Sequence, residues 1–166
     1  MRLVSPYRSP FKMLVTKCFL YQVGILGLGL VVCFEGVTRF TSLALNQSDS
    51  LPQKVFLILK GKELSRGHYL SFENSWFKAP LIKQVIGIEG DKIITDEQGE
   101  IWIARKVGKP LSHSKDGKIL HPITPGIIPK NYVFAYAPHP RSFDSRYQEV
   151  GLIQVDQILG RAIPLF

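Results

Sequence analysis

Cysteine is scarce, with two in 166 residues, Cys18 and Cys33. That excludes a disulfide-rich scaffold and a four-cysteine zinc site. Several chemistry-bearing motifs are missing as well. There is no Gly-x-Ser-x-Gly elbow, no His-Glu-x-x-His, no phosphate-binding glycine loop and no Gly-x-Gly-x-x-Gly. The histidines His68, His113, His121 and His139 show no paired metal spacing with Cys, Asp or Glu. His139, between two prolines, is kept in reserve because a Ser-His-Asp triad is set by geometry rather than spacing. No repeat of 20–50 residues is present. No basic run carries interleaved aromatics of the kind that tracks a phosphate backbone, so no nucleic-acid partner is expected.

Acidic residues are also few, 13 against 21 basic, for a net charge of +8. The excess is unevenly placed. Arg2, Arg8, Lys12 and Lys17 give residues 1–17 a charge of +4 with no acid among them, half of the total. At 45% apolar and 20% charged, the chain is too apolar for disorder, and its length suits one domain with an appendage.

Behind the basic tail, Cys18 to Phe34 runs 17 residues without a charge, with Gln22 the one strongly polar side chain. A helix over 11–34 would span a bilayer if Lys12 and Lys17 snorkel toward the cytoplasm. Gly24, Gly27 and Gly29 weaken a soluble helix but are common in membrane ones. A cleaved signal peptide has a shorter apolar core and a small-residue exit, which Glu35-Gly-Val-Thr-Arg39 does not supply. A buried core helix fits poorly behind a basic tail. The charge asymmetry then puts 1–17 in the cytoplasm and the rest outside. Cys18 and Cys33, about 22 Å apart along such a helix, cannot bond to each other.

After Phe40 the hydrophobic period changes. Short runs rich in β-branched and aromatic residues (55–59, 68–72, 81–88, 92–95, 100–104, 132–136 and 157–163) are separated by Gly, Pro and Asn turns. The expected fold is mainly β, an antiparallel sheet or barrel-like domain over 41–166 behind one transmembrane helix. Residues 105–125 read as a polar loop or hairpin away from any site, and His113 and His121 belong to its surface.

Three segments draw attention: Asn46-Gln-Ser-Asp-Ser-Leu-Pro52, Leu81-Ile-Lys-Gln-Val-Ile-Gly-Ile-Glu-Gly-Asp91 and Pro140-Arg-Ser-Phe-Asp-Ser-Arg-Tyr147. A strand of period 2 puts Leu81, Lys83, Val85 and Gly87 on one face. If that face is buried, the Lys83 amine loses protons more easily and becomes a base near neutrality; otherwise Lys83 is a solvated edge lysine. Ser50 by itself reads equally as a turn serine before Pro52, and Asp49 as a turn residue.

Together the segments resemble the signal peptidase I (leader peptidase) family of membrane-anchored serine proteases. Lys83-Gln-Val-Ile-Gly-Ile-Glu-Gly-Asp91 is similar to its general-base box. Ser142-Phe-Asp-Ser-Arg-Tyr147 is similar to its late box, and Ile158-Leu-Gly-Arg-Ala162 to its closing strand. The first box differs: Ser50-Leu-Pro52 has one residue between Ser and Pro and no Met, as in the TraF branch of conjugative-transfer peptidases. Lys54 stands where that branch has Gly, and Ala137-Pro-His-Pro140 replaces the family's Gly-Asp-Asn.

The resemblance implies a serine endopeptidase with Ser50 as nucleophile and Lys83 as general base. The Ser50 N–H and Ser48 hydroxyl would form the oxyanion hole, Ser142 would orient the lysine, and Asp144 and Arg146 would form a supporting salt bridge. It implies no metal or cofactor. The substrate would be an exported pre-protein, in the TraF branch a pilin precursor or another transfer protein, either hydrolysed or joined into a ring. The resemblance places the anchor in the inner (plasma) membrane of a bacterium, with the bilayer and other transfer or secretion proteins as partners. A general leader peptidase and an inactive scaffold of a secretion assembly are the alternatives.

Overall fold

The structure, a computed structural model, describes residues 10–46, 48, 50–61, 63–77 and 79–166, with side chains from Phe19 onward. Asp49, the Cys18 side chain and much of the basic tail lie outside the described residues. The chain forms two units, Met1–Arg39 and Phe40–Phe166.

The first unit contributes one helix, α1 (Pro10–Phe40). Within it, Phe19–Phe40 has a mean hydropathy of 1.8 and is long and apolar enough to cross a membrane by length and composition. The helix runs past the expected end at Phe34. Glu35-Gly-Val-Thr-Arg39 contains no proline to stop it, and Thr38 Oγ1 donates to the Glu35 carbonyl at 3.1 Å. Arg39 in the last turn complements the negative end of the helix dipole.

The second unit is built from antiparallel strands: β1 (Thr41–Leu45), β2 (Val55–Leu59), β3 (Tyr69–Phe72), β4 (Leu81–Gly87), β5 (Lys92–Thr95), β6 (Ile101–Ile103), β7 (Arg105–Gly108), β8 (Gly126–Ile127), β9 (Tyr132–Tyr136), β10 (Ile153–Gln154) and β11 (Ile158–Pro164). The larger sheet has the order β1-β2-β11-β3-β4-β9-β10, and the smaller one β7-β6-β5-β8. The expected β-rich runs all become strands. β1 has no such signal in the sequence: Thr-Ser-Leu-Ala-Leu is short, and Leu43 and Leu45 stay exposed. Its pairing with β2, Thr41 opposite Leu59 through Leu45 opposite Val55, makes it a strand.

The expected loop at 105–125 is partly structured. Its first four residues form β7 against β6, and a bridge between His113 and Ile119 closes a small hairpin. Nor is it remote from the third segment. Leu111 N donates to Tyr147 Oη at 3.1 Å, and the His121 N–H and ring both meet Glu149. The Lys118 ammonium lies 5.5 Å from the Trp76 ring centroid.

β4 lies between β3 and β9, and it is covered on both faces. Ile82 packs with Leu51, Phe56 and Ile58; Val85 packs with Leu70 and Phe72; Ile86 packs with Ile103 and Phe134. One strand thus reaches all three apolar clusters, which fixes the position of anything it carries.

β11 runs tightly against β2. At Gly160 a Cβ would collide with the Leu59 carbonyl, which is backbone and cannot swing aside. Gly160→Ala is therefore expected to destabilise the domain by about 1–3 kcal/mol, read as a lower urea midpoint with unchanged slope.

Candidate active site

Residues 46–54 join β1 to β2, and the Asn46 N–H closes the base of this loop on the Lys54 carbonyl at 2.7 Å. Leu51, 2% exposed, is buried among Phe56, Ile58 and Ile82 and anchors the turn. Ser50 is consequently buried, and its Oγ lies 2.6 Å from Ser48 Oγ.

The Asn46 side chain spans the loop. Its Nδ2 donates to the carbonyls of Leu51 (3.3 Å) and Gln53 (3.0 Å), and its Oδ1 accepts from Ser48 N (3.2 Å) and Ser48 Oγ (2.7 Å). The sequence gives a signal for this. Asn ahead of a Ser/Asp/Pro-rich turn is a residue type that bonds the backbone N–H two positions on, as an Asx turn.

Lys83 arrives from β4 and is 3% exposed. Its Nζ donates to Ser50 Oγ at 2.8 Å, joining positions 33 apart in sequence. Burial dominates its electrostatics. Removal from water disfavours the ammonium, Asp144 opposes that by favouring it, and Arg146 disfavours it again. The amine is lowered from its ordinary 10.5 to about 8. The edge-lysine alternative is thereby excluded, because β4 is an interior strand.

Asp144 and Arg146 lie in the segment that returns from β9, which the Ala135–Ser145 pairing holds in place. Arg146 grips Asp144 with Nε (2.9 Å) and Nη2 (3.0 Å), and Nη2 also donates to the carbonyls of His139 and Ser142. Both charges are buried, and the guanidinium lies 5.1 Å from the Tyr136 ring centroid.

Ser142 departs from expectation. Among the described residues its buried Oγ meets no hydrogen-bond partner, so the bond to the Lys83 amine does not form. Its backbone is held elsewhere, with its N–H on the His139 carbonyl and its own carbonyl on Arg146. His139 serves the same turn, accepting the Arg141 N–H on Nδ1 at 3.1 Å.

A groove of about 700 Å³ opens beside Lys83 and Ser48, lined by β1, Asn46, Phe77, Pro80 and Leu81 among others. Phe77 is held there by Phe143, whose ring lies 5.5 Å away edge-on. No three His, Cys, Asp or Glu side chains converge among the described residues.

A buried hydroxyl in contact with an amine that is partly neutral near pH 8 can lose its proton to that amine as it attacks an electrophile. Comparisons with known proteins bear on the family of the chain. "Probable conjugal transfer protein TraF" of Sinorhizobium fredii is 36% identical over 91 residues, covering 51% of this chain and 44% of that protein. "Conjugal transfer protein TraF" of Agrobacterium fabrum is 32% identical over 97 residues, covering 55% and 51%. The matches span about half the length of these relatives. A signal peptidase I of Enterococcus faecalis V583 gives a TM-score of 0.39 at 17% identity, covering 60% of this chain and 96% of that one. The family described as "Signal peptidase, peptidase S26" matches residues 15–166, so the chain belongs to the S26 signal peptidase family.

Proposed function

We propose that the chain is a membrane-anchored serine endopeptidase that processes an exported precursor, a pilin or another conjugation substrate. The observation that carries this reading is the 2.8 Å contact between Lys83 Nζ and Ser50 Oγ in a water-poor setting. Neutral Lys83 takes the Ser50 proton as Oγ bonds to the substrate carbonyl carbon, and the carbonyl electron pair moves onto oxygen. The Ser50 N–H and Ser48 hydroxyl receive that oxyanion. Collapse expels the amine, which takes the proton from Lys83, and leaves an acyl-enzyme. Water then gives hydrolysis; a chain's own amine gives a ring.

The substrate lies extended in the groove and pairs with the open edge of β1. Anchoring by α1 with the basic tail in the cytoplasm puts 41–166 on the extracytoplasmic side, where exported chains emerge. The names of the TraF relatives favour a transfer substrate over the general leader-peptidase role.

Mass spectrometry of a co-expressed pilin precursor, with wild type and Ser50→Ala, tests the reading. A new terminus, or a product one water lighter than the linear cleaved chain, seen only with wild type, supports it. Equal processing by both removes Ser50 as nucleophile. A precursor left intact by both, together with an intact generic leader peptide, points to a scaffold.

The rate should also depend on pH in a defined direction. The base must be neutral, so kcat/KM is expected to rise with pH to a plateau, with its midpoint near the Lys83 value of about 8. A profile flat from pH 6 to 10 would remove Lys83 as the base.

A further inference from the structure

Every polar atom of the Asn46 side chain is used, and the pattern of use is directional. Carbonyls only accept, so the bonds to the Leu51 and Gln53 carbonyls identify Nδ2 and leave Oδ1 facing Ser48. Oδ1 cannot donate, so the 2.7 Å contact to Ser48 Oγ takes that hydroxyl's single hydrogen. In the 2.6 Å contact between the two serines, Ser50 must then be the donor. Lys83 Nζ donates to the remaining side of Ser50 Oγ. The hydrogens run in one direction, Lys83 to Ser50 to Ser48 to Asn46.

We infer that Asn46 is a positioning residue for the reaction, acting through the Ser48 hydroxyl; the inference rests on the Ser50–Lys83 reading proposed above. In the resting site Asn46 holds Ser48 Oγ against Ser50 and draws the Ser50 hydrogen away from Lys83. When Ser50 turns its hydrogen onto the lone pair of neutral Lys83, Ser48 is released as an acceptor. Its own hydrogen can then leave Oδ1 for the developing oxyanion. A bond to an ionised oxygen is stronger than the neutral one given up, so the hold does not oppose the step.

Without Asn46 the Ser48 hydroxyl has three rotamer wells in place of one fixed position, and the carbonyls of Leu51 and Gln53, beside the nucleophile, lose their donor. Asn46→Ala should therefore resemble the loss of an oxyanion donor, a fall of about 10²-fold in kcat.

The test uses the full chain in detergent and a synthetic precursor peptide cleaved by wild type, with kcat, KM and the pH profile measured for Ser50→Ala, Ser48→Ala, Asn46→Ala, Asn46→Asp and the Asn46→Ala/Ser48→Ala double variant. The double variant is expected to be no slower than Ser48→Ala alone within about threefold, because both changes remove one function. Asn46→Asp keeps the acceptor for Ser48, gives up the donor to the Leu51 and Gln53 carbonyls as Asn46→Ala does, and adds a negative charge to the chain of contacts that ends on Lys83. It should recover at least about 10-fold over Asn46→Ala at high pH, with the midpoint of the profile moved upward. A merely structural role would move neither. If Ser50→Ala cleaves like wild type, the peptidase reading itself fails. If Ser50→Ala is inactive while Asn46→Ala keeps the wild-type kcat, or the two single losses multiply in the double variant, only the role of Asn46 is overturned. Circular dichroism of each variant separates a loss of fold from a loss of rate, and the Asn46→Asp profile decides the matter if Asn46→Ala is unfolded.

Discussion

Replacing Lys83 by methionine is expected to abolish processing and, at the same time, to make the protein more stable at neutral pH. The first effect follows from the proposed role. Removing one member of a nucleophile–base pair commonly costs about 10⁴-fold or more. The second follows from burial. The amine is lowered from 10.5 to about 8, chiefly because the ammonium is removed from water. Holding a charge there below pH 8 costs about 3 kcal/mol of folding stability. The methionine variant loses one hydrogen bond to Ser50, worth about 1 kcal/mol, but Ser48 still partners that hydroxyl. The net gain is about 2 kcal/mol, several degrees in Tm. The sign is specific. Between pH 8 and 10.5 the unfolded chain holds the proton that the native one has lost, so wild-type stability climbs with pH across this window. The variant should show no such climb, so the two curves should cross near pH 10, above which the wild type is ahead by about the 1 kcal/mol of the Ser50 hydrogen bond. Thermal melts at pH 7 and 10 check this, and equal Tm values at pH 7 would show that the amine is not strained by burial.

Much of the fold is legible in the sequence, for reasons that also mark where legibility stops. The runs at 81–88 and 132–136 are dense in β-branched and aromatic residues because both faces of their strands are covered, and 55–59 because one face is buried and the other half-buried, so composition identifies them. β1 and β8 have no such density. Leu43, Leu45 and Ile127 remain exposed, and only the neighbouring strand makes these segments extended. Helix α1 is plain from its apolar run, yet its end is not, because nothing between Glu35 and Arg39 forbids another turn. At the candidate site the period-2 pattern placed Lys83 on a face with Val85, but not whether that face is interior. That depends on β3 and β9 flanking β4, a long-range fact. Asn46 was legible as a turn former but not as the group that fixes Ser48, since its role lies in bond directions that no spacing encodes. Ser142 shows the converse, a residue expected on the amine whose Oγ meets no partner among the described residues.

Removing the Arg146 guanidinium is expected to give the largest loss of stability of any single change in the domain. Asp144 is fully buried, and the two fork contacts to Arg146 supply most of its compensation; the backbone N–H groups of Ala137 and residue 146 remain. Breaking such a pair from one side typically costs 3–5 kcal/mol, mainly because the surviving charge stays buried without its counter-ion. Arg146→Met also takes the donor from the His139 and Ser142 carbonyls, which loosens the turn that carries Ser142. The double variant Asp144→Leu/Arg146→Met should be more stable than Arg146→Met alone, because no charge is then stranded. It should still fall short of wild type, because the Ser142 carbonyl loses its Arg146 donor and the His139 carbonyl keeps only the Ser142 N–H. Activity supplies an independent readout. Arg146 disfavours the Lys83 ammonium and Asp144 favours it. Arg146→Met, with Asp144 left in place, should therefore move the midpoint of the pH–rate profile upward from about 8. Loss of packing alone lowers the amount of folded enzyme at every pH and leaves that midpoint where it was. A midpoint that stays at the wild-type value in Arg146→Met would show that the pair supports the fold without tuning the base.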